Sequence, residues 1–156
     1  MKFEHLIVIN DPSHPEIMPL TRTQLWHGLV LRAEEPRLFV AHLDDCQLFD
    51  HTTNSVTREC RYGQVTIRDI VTYTSQSHVH YEVPKQLDIE GSHMTMTIEE
   101  PQPSAFRVLF SYEDNATDEV SEEEKLYNQF RCSAYEEADN DTIRVIRELA
   151  EEGRLG

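Results

Sequence analysis

The chain has 156 residues, 38% of them hydrophobic, and its 29 Asp and Glu against 14 Lys and Arg give a formal net charge of −15. That length fits one domain, 1–156, able to bury a core of its own, and the recurring aromatic and β-branched residues exclude a disordered chain. So acidic a surface repels phosphate backbones and anionic lipid, so no nucleic acid and no membrane is expected as a partner.

The acids cluster in 88–100 and 113–124, which read as solvated faces, while Arg58, Arg61 and Arg68 lie close together in sequence. Cys46, Cys60 and Cys132 are odd in number and widely spaced, which argues against a disulfide framework or a zinc cluster. No apolar run approaches the roughly 18 residues of a membrane span. MKFEHLIVIN lacks the cleavage site of a secretion signal, so a reducing, cytoplasmic setting is expected.

Residues 2–10 alternate as a strand. NDPSHPEIMP follows, and Pro12, Pro15 and Pro19 make it loop. Thr21 and Gln24 form a capping box that opens a helix ending at Pro36. Leu25, Leu29 and Arg32 share one face of it, with Trp26, Val30 and Ala33 beside them. PRLFV fits a further broken helical turn.

Between 43 and 113 the period changes to two. The spacing predicts strands near 43–52, 55–62, 65–74, 78–86, 92–100 and 105–113, separated by short turns and therefore antiparallel. A long helix over 121–151 closes the chain. Ser121 caps it and Glu122, Glu123 and Glu124 fill its first turn. Tyr127, Phe130, Ala134, Ala138, Thr142, Val145 and Leu149 form a stripe along it, and Gly153 can end it. The predicted class is α+β: a seven-stranded curved antiparallel sheet around a long C-terminal helix, with space for a cavity between them.

One turn fixes a register. If Gly63 and Gln64 form a two-residue loop, Tyr62 faces Val65, Cys60 faces Ile67, Arg58 faces Asp69 and Val56 faces Val71. On the other side Glu59 faces Arg68. The first set is otherwise apolar, so it should face the core. Arg58 and Asp69 then form an inward ion pair, either the polar lining of a pocket or a half-exposed pair at a wet sheet end. The same alternation directs Tyr73, Val79, Tyr81, Val83, Met94, Met96, Ile98, Phe106, Val108, Phe110 and Tyr112 inward. These are core or, where methionine adapts to a ligand, pocket. Candidate ligand-binding residues are Trp26, Arg58, Asp69, Tyr73, Tyr81, Met96, Phe110 and Phe130. Trp26 fits plain core equally well.

Phosphate-cradling, dinucleotide, nucleophile-elbow and HExxH motifs are absent from the sequence, so no cofactor is expected. His78 and His80 share an outward face, which suits surface histidines better than metal ligands. Tyr62, Tyr73 and Tyr112 have the chemistry of general acids or oxyanion donors, and Asp69 that of a base.

MKFEHLIVINDP, LTRTQLWHGLVLRAEEP, TIRDIVT, MTMTIEEP and CSAYEEADNDTIRVIRELAEEGRL together resemble the AtaL-like branch of the START/SRPBCC helix-grip superfamily, over essentially the whole chain. The resemblance implies the helix-grip fold and a hydrophobic cavity. The superfamily includes lipid carriers, hormone and alkaloid binders, aromatic cyclases and hydratases, and fold does not select among them. Two functions are therefore expected as alternatives. One is a binding module for a small apolar or aromatic metabolite, with Arg58 and Asp69 reading one polar group. The other is a polyketide-cyclase or hydratase-type enzyme using the same cavity. Convergence of two or more titratable groups deep in the cavity distinguishes the second from the first.

Overall fold

The computed structural model describes residues 1–114 and 121–156, so part of the acidic stretch 113–124 lies outside the described residues. The elements in order are β1 (Lys2–Val8), α1 (Arg22–Glu34), a 3-10 turn at Pro36–Leu38, β2 (Asp45–Phe49), β3 (Ser55–Tyr62), β4 (Val65–Thr74), β5 (His78–Val83), β6 (Ser92–Gln102), β7 (Ala105–Asp114) and α2 (Glu122–Glu151). The strands form one seven-stranded sheet in the order β1-β7-β6-β5-β4-β3-β2, and every neighbouring pair is antiparallel. β1 and β2 are the two edges, so α1 carries the chain from one edge to the other.

β1 stops two residues earlier than its alternation suggests. The amides of Ile9 and Asn10 both donate to the Phe106 carbonyl, and the chain then turns away. Buried Asn10 holds the proline loop: its Nδ2 donates to the Leu20 and Ser104 carbonyls, and its Oδ1 accepts from the Leu20 amide. β5 ends at Val83 because Pro84 has no amide for the ladder. β6 continues through a register shift between Glu99 and Gln102. Its turn therefore comes later than the prolines suggest, at Ser104, whose φ is 64°.

The capping box at Thr21 and Gln24 is present, with bonds of 3.0 and 2.9 Å. Leu25, Trp26, Leu29 and Ala33 of α1 and Ile143, Ile146 and Leu149 of α2 pack over Val56, Val71, Val79, Met96, Val108 and Phe110 of the sheet. The helices meet at Gly28. A Cβ there would stand 2.7–2.9 Å from three carbons of the Ile146 side chain, so any larger residue would force Ile146 to shift.

The Gly63 turn, with φ 62°, produces the register expected from it: Tyr62 opposite Val65, Arg58 opposite Asp69, Glu59 opposite Arg68. Arg58 and Asp69 are buried on the helix side, and Glu59 and Arg68 meet outside. The inward row is covered only in part. Val65, beside the turn, is 45% exposed.

The long helix corrects a second expectation. Its periodicity predicts a stripe buried from Tyr127 to Leu149, but the first buried residue of α2 is Asp139. Tyr127 and Phe130 are 64% and 67% exposed. The C-terminal half packs against α1 and the sheet, where Arg147 donates to the carbonyls of Met18 and Ile9. The N-terminal half runs on past the core.

Candidate functional site

A cavity of about 300 Å³ opens between the sheet, the end of α1 and the middle of α2. Its wall contains Arg58 and Tyr62 from β3, Asp69 from β4, Tyr81 and Val83 from β5, Met94 from β6 and Tyr112 from β7. α1 contributes Arg32 and α2 contributes Arg131 and Tyr135. The volume lies at the small end of ligand pockets.

Of the residues expected at the site, Arg58, Asp69 and Tyr81 line this cavity. Trp26, Met96 and Phe110 are buried among core side chains. Tyr73 is half-buried near the end of α1, and its hydroxyl donates to Glu34 at 2.7 Å. Phe130 stands exposed on the projecting half of α2. The structure thus groups three of the eight, all from the sheet, and separates the others.

Arg58 is fully engaged. Its Nε and Nη2 donate to the two oxygens of Asp69 at 2.8 and 2.7 Å. Its Nη1 donates to the Ala33 carbonyl at 2.9 Å, near the end of α1. Burial opposes the Arg58 charge most strongly, but the bond to Asp69 together with the nearby Tyr81 and Asp69 oxygens holds the guanidinium above its ordinary value. The fork-shaped pair satisfies both ions, so it shapes the wall more than it offers a free donor.

Arg32 differs. Its Nε donates to the Thr142 hydroxyl at 3.0 Å, and Thr142 donates in turn to the Ala138 carbonyl. Among the described residues no carboxylate forms an ion pair with it. Burial lowers its pKa, and the Tyr81 and Tyr112 hydroxyls raise it more, so the group stays charged. Tyr81 lies beneath both cations, with the Arg32 and Arg58 guanidinium carbons 5.4 and 5.0 Å from its ring centre. Its hydroxyl is buried without a hydrogen-bond partner. Arg32 lies close enough to that oxygen for it to help hold the guanidinium charged.

On the far wall the Tyr112 hydroxyl donates to Oδ1 of Asp139. Nδ1 of His5 lies 3.1 Å from Oδ2 of the same carboxyl. Asp139 is wholly buried. Burial pushes its carboxyl above the ordinary range, against the bonds from Tyr112 and His5. Tyr112 is likewise pushed up, first by burial and then by the neighbouring carboxylate. Tyr135 stacks on Tyr112 with ring centres 4.0 Å apart and planes within 8°, which fixes the phenol. Phenol, carboxyl and imidazole form a continuous path from the cavity to a partly exposed histidine. An ionised Asp139 makes Tyr112 an acceptor toward the cavity, and a protonated one makes it a donor.

Sequence reasoning names Tyr112 among possible acids and places Arg32 on the apolar face of α1. It does not assemble either into a site. The signal for Arg32 is present: a cation at the third position of the spacing 25, 29, 32. Asp139 is hidden among Glu136, Glu137 and Asp141. On the outer face His80 and His93 bond at 3.1 Å, and among the described residues no three potential ligands are grouped to hold a metal.

Residues 7–153 match the family described as acetylaranotin biosynthesis cluster protein L, AtaL. The chain belongs to the AtaL family. No curated protein matches it by sequence. This AtaL member is similar in fold to the di-domain aromatase/cyclase StfQ of steffimycin biosynthesis, at TM-score 0.70 and 12% identity over 97% of this chain. It covers 51% of StfQ, about half that protein's length. It is similar also to the Zhui aromatase/cyclase of Streptomyces sp. R1128, at TM-score 0.64 and 9% identity, over 96% of this chain and 95% of that one. The protein TTHA0849 of Thermus thermophilus aligns at TM-score 0.63 and 10% identity, over 94% and 96%. At these identities the likeness is one of fold: this AtaL member has the helix-grip architecture of aromatase/cyclases, and no helix among its described residues is long and apolar enough to cross a membrane.

Proposed function

We propose that the cavity binds a small, largely apolar molecule bearing an enolisable carbonyl, and that the protein acts on it as a polyketide-cyclase-type enzyme. The observation that carries this reading is Arg32: a deep guanidinium at the cavity wall without a carboxylate in contact among the described residues. Asp139 acts on Arg32 only at a distance, and a buried cation with no counter-ion in contact is costly. An anionic oxygen entering the cavity would offset that cost, and the unpartnered Tyr81 hydroxyl would give it a second donor.

An enolate is such an oxygen. Removing a proton from the carbon between two carbonyls places charge on oxygen, where preorganised donors lower the barrier most. Tyr112, with Asp139 and His5 behind it, is positioned to accept that proton and return it. The enolate carbon then attacks a second carbonyl of the same molecule. The new alkoxide takes the proton, and loss of one water gives the ring its double bond. The fold shared with aromatase/cyclases is compatible with this chemistry but does not select it.

A β-diketone such as benzoylacetone probes binding and enolisation. The expected result is saturable binding and faster exchange of its central protons in D2O, followed by NMR. Arg32→Met should abolish binding, while Tyr112→Phe should keep binding and lose the acceleration. Binding without acceleration in the unmodified protein would leave the binding-module reading. Absence of binding would remove both.

A further inference from the structure

Cys46 of edge strand β2 lies directly opposite Cys60 of β3. Their sulfurs are 3.3 Å apart and not covalently joined. We propose that this pair is a reversible disulfide site, closed by exchange with a small-molecule disulfide of the glutathione type. The inference does not depend on what the cavity binds. The odd count and wide spacing of the three cysteines argue against a disulfide framework in the sequence. The strand register is what brings them together.

Residues directly opposite in an antiparallel pair have Cα atoms about 4.5–5.5 Å apart. That range falls inside the roughly 4.4–6.8 Å a disulfide spans. Closure therefore requires side-chain rotation that shortens the sulfur separation to about 2.05 Å, without moving the strands.

The two sulfurs differ in access. Cys60 is 2% exposed, and burial pushes its thiol up to about 12. Cys46 is half-buried at the edge. The exchange therefore begins at Cys46, whose thiolate attacks the small disulfide and expels one thiolate. Cys60 then gives up its proton and attacks Sγ of Cys46, expelling the second. Two S–H bonds break and one protein S–S bond forms. The two electrons and two protons end on two small-molecule thiols.

The test equilibrates the full chain in glutathione buffers from fully reduced to fully oxidised, blocks free thiols by alkylation, and maps the peptides by mass spectrometry. The expected product is a Cys46–Cys60 cross-link at the oxidised end, reversed by reduced glutathione, with Cys132 alkylated throughout. Its rate of closure should rise about tenfold per pH unit between pH 7 and 9, because the fraction of Cys60 thiolate limits it. Cys60→Ser should instead accumulate a glutathione adduct on Cys46. A persistent Cys46 adduct in the unmodified chain, three free thiols at the oxidised end, or a cross-link to Cys132 would each overturn the proposal.

Discussion

Asp139 carries the clearest pH signature of any single residue. Its carboxyl titrates higher in the folded protein than in the unfolded chain, because burial disfavours the charge. A raised carboxyl binds its proton more tightly when folded. Its contribution to stability is thus fullest below about pH 4 and is lost as pH rises through the folded value. Asp139→Asn removes that loss and can still accept from Tyr112. Urea unfolding at several pH values should show the variant gaining on the parent as pH climbs from about 4 to 7; a constant difference would mean that Asp139 does not titrate in this way. Arg32 and Asp139 share the reason they are hard to read. Each is an ordinary charge on a helix until the partner surface is known, whereas Arg58 and Asp69 are specified by one local turn.

Among the elements, the two helices behave differently from each other. α1 has a fixed seat at Gly28, where Ile146 fills the space of a missing side chain. Gly28→Ala should destabilise by about 1–3 kcal/mol, as overpacking does, with a compensating recovery when Ile146→Ala, which removes all three carbons in the way, is added. α2 buries side chains in the core only from Asp139 on, while Arg131 and Tyr135 reach the cavity wall and the first two turns stay exposed. Replacing Tyr127 and Phe130 by serine should therefore change unfolding energy by no more than about 0.5 kcal/mol each, measured by chemical denaturation. A core-sized loss would restore the stripe as a buried face. The strands are legible because one face of an antiparallel sheet must be apolar, and alternation records that directly. The helix stripe misleads because periodicity defines a face without saying how far a partner extends along it. On β2 the Cys46–Cys60 bond would close a loop of about 15 residues, worth roughly 3 kcal/mol in the chain-entropy view.

For the whole molecule, charge dominates. With 29 acids against 14 bases, the compact state gathers like charges that the unfolded chain separates. Raising salt from about 0.01 to 0.15 M shortens the screening length from roughly 30 to 8 Å. The thermal midpoint should rise over that range in a scanning experiment; a fall would show that paired charges outweigh the repulsion. The architecture follows from patterning, but the cavity's contents do not, since they depend on where α1 crosses the sheet. That crossing has a mechanical side. Arg32 faces the cavity, and the next carbonyl in the chain, that of Ala33, is gripped by Arg58, itself clamped to Asp69. Movement of the backbone that carries Arg32 toward an incoming anion must also pull on the Ala33 carbonyl. On the proposed reading, a ligand drawn to Arg32 would therefore load the β3–β4 hairpin through Arg58, with the end of α1 acting as a lever.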